Sequence, residues 1–215
     1  MFKNYEFLIT SLINFKNVAL IFPSKKILKN QHGKKINNFK YVIRLNNSTI
    51  KKYTKNVGIK TSLRILSSNF INKNKNQILK IINKEKLLFI SYDYVMKNKK
   101  KKLINSYKNN SVNFIDNRIF FFYMMLKSII IHPIFIKLIF NHIFKNKILS
   151  TGFVITLILI FYKIKPTFFG LDLDENMRLR SHYHKNEKIS DLHDLTLEHD
   201  ILRILKRKKI ITVID

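Results

Sequence analysis

Three short apolar runs, "VALIF", "YVIRL" and "SLRIL", fall within the first seventy residues, each bounded by polar, turn-forming stretches. Each is built from aliphatic and β-branched side chains, as in strands buried within a helix-covered sheet. The pattern predicts an α/β fold. One such domain, over residues 1–215, suits a chain of 215 residues, since two full domains would be cramped. No internal repeat is evident.

Charge narrows the classes of partner. The chain carries 41 Lys and Arg against 13 Asp and Glu, a formal net charge of +28. Such a balance draws a protein toward phosphates, anionic membrane surfaces or acidic substrates without choosing among them. A Lys/Asn/Ile-rich composition also arises when codons are poor in G and C, so drift competes with function as the source of part of that charge. Cysteine is absent. That favours a reducing compartment, and the opening "MFKNYEFLITSLINFKN", interrupted by Lys3 and Glu6, makes a poor signal peptide. The expected location is cytoplasmic.

From residue 71 to 118, Lys/Asn-rich stretches, read as solvated loops or helix faces, alternate with "KLLFISY" and "SVNFI". Residues 119–149 are apolar, but Lys127, His132, Pro133 and Lys137 break the segment well short of the ~18 clean apolar residues of a membrane span. An amphipathic helix fits better, with Phe135, Ile136, Ile139 and Ile143 on one face and lysines on the other. It packs on the core or lies on a membrane surface. Downstream, Ser150 or Thr151 can cap a helix whose first amides can hold an anion, and "PTFFG" reads as a strand ending at Gly170. Finally "SDLHDLTLEHDILRILKRKK" predicts a helix with Leu192, Leu195, Leu202 and Leu205 on its apolar stripe, capped by Ser190 or Asp191.

Taken in order, several of these pieces form a set. "YVIRLNN" leads into "NVGIKTSLRI", "STG" follows well downstream, then "HYH", then "HDLTLE". The set resembles the motifs of the sialyltransferases of glycosyltransferase family 29. Ser24, Gly33, Ile36, Val42, Arg44, Asn46, Val57, Gly58, Lys60 and Thr61 match the large sialyl motif, over about 18–66. Ser150, Thr151 and Gly152 match the Ser-Thr-Gly of the small motif, over about 149–171, whose later Tyr-Gly-Phe falls on Phe169, Gly170 and Leu171. His182, Tyr183 and His184 resemble the third motif, and His193 with Glu198 matches the His-x4-Glu of the very small motif. The chain departs from the family at Phe22-Pro23, where Gly-Asn is usual, and at Leu149, where proline is usual. The positions of the lumenal members' disulfide fall on Val18 and Lys163.

The resemblance implies a Rossmann-like, GT-A-like variant with a mostly parallel sheet, and an inverting transfer of sialic acid from CMP-sialic acid to a glycan hydroxyl. The roles it implies are residue-specific. Asn46 and Ser24 contact the donor, and Arg44 is a buried structural partner. Ser150, Thr151 and Gly152 meet its phosphate at a helix start, with His182 donating to the leaving phosphate. His193 acts as general base, kept neutral by a helix N-terminus, and Glu198 holds the motif's backbone or a neighbouring side chain. No cofactor and no metal is implied. The acceptor is expected to be galactose-ended and possibly lipid-linked, with peripheral contact at the inner membrane surface.

Three other readings compete. "DLD", Asp172 to Asp174, looks like a metal-binding Asp-x-Asp, although a monophosphate leaving group has less need of a metal. A basic nucleic-acid-binding protein, such as an organellar ribosomal component, would explain the charge but not the ordered motifs. A membrane-surface structural protein would explain 119–145 alone.

Overall fold

The computed structural model describes residues 17–67, 70, 88–92, 112–116, 149–173 and 195–214. The three apolar runs are strands, β1 (Val18–Ile21), β2 (Tyr41–Leu45) and β3 (Leu63–Ser67). They join β4 (Leu88–Tyr92), β5 (Val112–Asp116), β6 (Thr167–Phe169) and β7 (Thr212–Ile214) in one seven-stranded sheet of order β5-β4-β3-β2-β1-β6-β7. Every pairing is parallel. "LFISY" and "VNFID" thus extend the sheet on one side, while "PTFFG" supplies β6 and ends at Gly170 as the sequence suggests.

Because both faces of the sheet are covered, successive residues of one strand enter different cores. Val18, Leu20, Ile43, Leu45, Leu63, Ile65 and Phe168 face one layer. Ala19, Ile21, Val42 and Phe169 face the other. Continuous apolar runs follow directly from this two-sided burial.

The first layer is made by α3 (Thr151–Phe161) and α4 (Leu195–Arg207). Gly152 through Leu159 are all buried, so α3 is apolar around its whole circumference and too short to cross a bilayer. Among the described residues no helix is long and apolar enough to cross a membrane. The α4 helix is amphipathic. Its buried face runs through Leu197, Ile201, Leu202 and Leu205, while Leu195 is half-buried, so the stripe is rotated from the one predicted. The opposite layer consists of a 3-10 turn (Lys25–Lys29) and two short helices, α1 (Gly33–Asn37) and α2 (Thr54–Val57). Ile27, Ile36 and Val57 anchor it to the sheet. At Gly33 a Cβ would stand 2.2 Å from the Thr54 carbonyl oxygen, so only glycine lets α1 and α2 approach this closely.

β2 to β5 run outward on one side of β1, and β6 and β7 on the other. The chain therefore changes direction between β1 and β6, and in open parallel sheets ligands bind at the carboxyl ends beside such a reversal. The predicted amphipathic segment 119–149, apart from Leu149, and the proposed caps Ser190 and Asp191 lie outside the described residues, as do the Lys/Asn-rich runs.

Candidate active site

The segments leaving the carboxyl ends of β1, β2, β3 and β6 and the start of α3 meet at one edge of the sheet. At the end of β1, Phe22 N–H donates to the Phe169 carbonyl (2.9 Å), and the Ser24 hydroxyl donates to the Gly170 carbonyl. Ser24 thus latches the β1 loop to the β6 loop. The Phe22 ring packs edge-on against Phe168, with centroids 5.5 Å apart, and lies against the first turn of α3. A Cβ on Gly152 would sit 2.5 Å from that ring and 3.1 Å from Leu45. Glycine at this position is what allows the helix start to rest on the ends of β1 and β2.

Arg44 is fully buried, and its guanidinium serves as a backbone staple. Its Nη2 donates to the carbonyls of Val57 (2.8 Å), Gly58 (3.1 Å) and Lys60 (2.9 Å). Its Nε donates to the Lys60 carbonyl and to Thr61 Oγ1 (3.0 Å). The Arg-x-Asn and Val-Gly-x-Lys-Thr pieces of the sequence are therefore one structural unit, as the resemblance implies for Arg44. Asn46 follows with φ 46, a left-handed conformation that asparagine tolerates better than most residues. Its Oδ1 accepts from Ser67 N–H (2.8 Å), its N–H donates to the Ile65 carbonyl (2.8 Å), and its carbonyl accepts from Arg64 (2.7 Å). The half-buried side chain is thereby fixed at the edge, and among the described residues its amide NH2 has no partner, which leaves it for a ligand.

Ser150 is the N-cap of α3, its Oγ accepting from Phe153 N–H. The same hydroxyl donates to Glu198 Oε2 (2.5 Å), and Ser150 N–H donates to Glu198 Oε1 (2.7 Å). Glu198, 1% exposed on α4, thus grips the start of α3 with both carboxylate oxygens. A carboxylate at a helix N-terminus is favoured by the free amides and the dipole there. Ser150 is therefore occupied within the protein. The Thr151 and Gly152 amides have no partner among the described residues and remain for an anion, together with the half-buried Thr151.

His199, next to Glu198, carries no signal in the motif pattern of the sequence. It is 8% exposed, and its Nδ1 has no hydrogen-bond partner among the described residues. Burial, aided by the nearby Arg203 cation and partly opposed by Asp200, lowers its pKa from 6.5 to about 4. The ring is neutral at physiological pH. Arg203 binds Asp200 Oδ1 (2.6 Å) and donates from Nη2 to the Leu173 carbonyl (2.6 Å), tying α4 to the segment after β6. Asp172 is buried on that segment, Asp174 lies outside the described residues, and among the described residues no three potential ligands cluster for a metal. His182 and His193 also lie outside the described residues. Ser24, Asn46, Ser150, Thr151 and Gly152 are all brought to the carboxyl edge.

A family model described as "Glycosyltransferase family 29 (sialyltransferase)" matches residues 16–210. The chain belongs to this family. Among solved structures, a mammalian sialyltransferase in complex with Gal-beta-1-3GalNAc-ortho-nitrophenol is similar, with a TM-score of 0.62 at 14% identity, over 96% of this chain and 72% of that one. The sialyltransferase CstII from Campylobacter jejuni, in complex with the substrate analogue cytidine-5'-monophosphate, is similar with a TM-score of 0.58 at 16% identity, over 92% and 78%. A CST-II structure with trisaccharide acceptor and CMP gives a TM-score of 0.53 at 15% identity, over 92% and 79%. No curated protein matches in sequence. The small and very small sialyltransferase motifs are thus joined by the Glu198 to Ser150 bonds, between residues 48 positions apart.

Proposed function

We propose that this sialyltransferase carries sialic acid from CMP-sialic acid to a hydroxyl of an acceptor glycan with inversion and without a metal. The observation that carries the reading is the grip of Glu198 on Ser150, because it fixes a helix start whose Thr151 and Gly152 amides have no partner among the described residues and which rests against Leu45, the residue before Asn46. Those amides suit the phosphate of the donor, and the Asn46 NH2 suits its nucleoside. Ser24 acts indirectly in this scheme, by closing the β1 loop onto β6.

In the reaction the acceptor oxygen attacks the anomeric carbon of the sialic acid while the bond from that carbon to the phosphate oxygen breaks. His193 takes the acceptor proton, and His182 donates a hydrogen bond to the departing CMP. The sum is one glycosidic bond formed, one glycosyl phosphate bond broken and one proton transferred to the base. The acceptor is proposed to end in galactose and to be lipid-linked. The absence of cysteine supports a cytoplasmic enzyme working at the inner membrane surface.

Donor binding is tested by thermal unfolding with and without CMP. A ligand that binds only the folded state raises the melting temperature by mass action. CMP is expected to raise it for the native chain and to do so much less for Asn46→Ala. An unchanged melting curve at millimolar CMP would overturn the donor assignment.

A further inference from the structure

We infer that the layer formed by the 3-10 turn, α1 and α2 is a docking face for an anionic phospholipid bilayer. From Asn17 to Ser67 the sequence holds ten lysines, two arginines and no Asp or Glu. Both arginines are buried, whereas Lys29, Lys34, Lys35, Lys51, Lys52 and Lys55 are exposed. In the layer covering the other face of the sheet, α4 sets Asp200 against Arg203 and buries Glu198, whereas the described stretch from Asn17 to Ser67 holds basic residues with no acidic one among them.

The lysines stand on a braced plate. Ile27, Ile36 and Val57 fasten it to the sheet, and Asn56 Nδ2 donates to the carbonyls of Leu28 (3.0 Å) and Asn30 (3.1 Å). Asn37 Oδ1 accepts from Ile59 N–H (2.9 Å) and Lys60 N–H (3.1 Å), and Arg44 holds Val57, Gly58 and Lys60 from beneath. Short, fixed elements hold the charges together at little entropic cost on binding. Phosphate-bearing lipid headgroups attract such a cluster, each basic residue near the surface contributing.

Ile59 decides between a bilayer and a nucleic acid. It is the exposed large hydrophobic residue of the described chain, at 65%, and it stands just past α2 on this plate. An aliphatic side chain among ammonium groups matches the boundary between headgroups and acyl chains. A single-stranded nucleic acid would instead use aromatic rings for stacking, and Phe39 and Tyr53 here are half-buried against the core.

The test uses the full chain with vesicles of phosphatidylcholine alone or with phosphatidylserine, at low and high salt. Two charge-matched triple variants are compared, Lys34→Glu/Lys35→Glu/Lys55→Glu on the plate and Arg207→Glu/Lys208→Glu/Lys209→Glu at the end of α4, each first shown to melt cooperatively. The plate variant is expected to lose at least about thirtyfold in partitioning onto phosphatidylserine vesicles, and the α4 variant only a few-fold. Ile59→Ser is expected to weaken binding without changing its salt dependence. Equal losses in the two triple variants, no binding of the native chain to anionic vesicles, or a plate variant that loses binding to poly(U) but keeps it to vesicles would each overturn the proposal. The result is independent of the sialyl-transfer reading, because none of these residues belongs to the catalytic edge.

Discussion

At the scale of single residues, the site depends on polar side chains whose partners are other parts of the protein. Glu198 holds both the N–H and the hydroxyl of Ser150, so Glu198→Ala leaves those groups without their acceptor and removes a negative charge from the start of α3. The expected cost is about 2–3 kcal/mol of stability, measured by urea unfolding, together with weaker CMP binding. Glu198→Gln keeps one oxygen acceptor and is expected to recover most of the stability. An Ala variant as stable as the native chain would contradict the capping role. Arg44→Met removes the donors for three backbone carbonyls and is expected to destabilise by about 3 kcal/mol or more in the same measurement. Arg44 and Asn46 are legible in the sequence because they stand together just where an apolar run ends. The partners of Asn46 were not legible there, since Ser67 and Ile65 reach it only once β2 and β3 pair side by side.

At the scale of elements, α4 links stability to acidity. His199 has a folded pKa near 4 against 6.5 as its ordinary value, so the unfolded chain binds the proton first as pH falls. Its contribution is fully present above about pH 6.5, is lost progressively toward pH 4, and levels off below. By pH 5 the expected loss is about 2 kcal/mol, at roughly 1.4 kcal/mol per pH unit. Denaturant unfolding at pH 7 and pH 5 measures it, and His199→Phe should flatten this acid limb by one proton; an unchanged slope in that variant would refute the assignment. The α4 helix itself was legible from its leucine spacing, but its buried face passes through Leu197 and Ile201 rather than Leu195. A helix's apolar stripe is fixed by what it packs on, here the apolar α3 core, as much as by its own sequence. The short α1 and α2 gave no periodic signal because four or five residues complete barely one turn. β7 leaves no signal for a similar reason, since Thr212–Ile214 is a three-residue edge strand whose one partner among the described residues is β6.

At the scale of the whole molecule, the parallel sheet was foreseeable from continuous apolar runs, whereas the strand order was not. That order emerges from pairings between distant segments, and it sets the reversal between β1 and β6 that gathers Ser24, Asn46 and the start of α3 at one edge. The ordered motifs made the same residues visible beforehand as a family signature, without showing that Ser150 is engaged by Glu198. We propose transfer of sialic acid from CMP-sialic acid with His193 as the base. It is tested most directly by measuring CMP release and sialylated product with a panel of galactose-ended acceptors, for the native chain and for His193→Ala. The native chain is expected to form product in the presence of chelator. His193→Ala is expected to turn over about 100-fold more slowly or worse while binding CMP almost normally, because general base catalysis contributes roughly 10²–10⁴. Transfer to no acceptor, full activity in His193→Ala, or activity lost to chelator and restored by added metal would contradict the account.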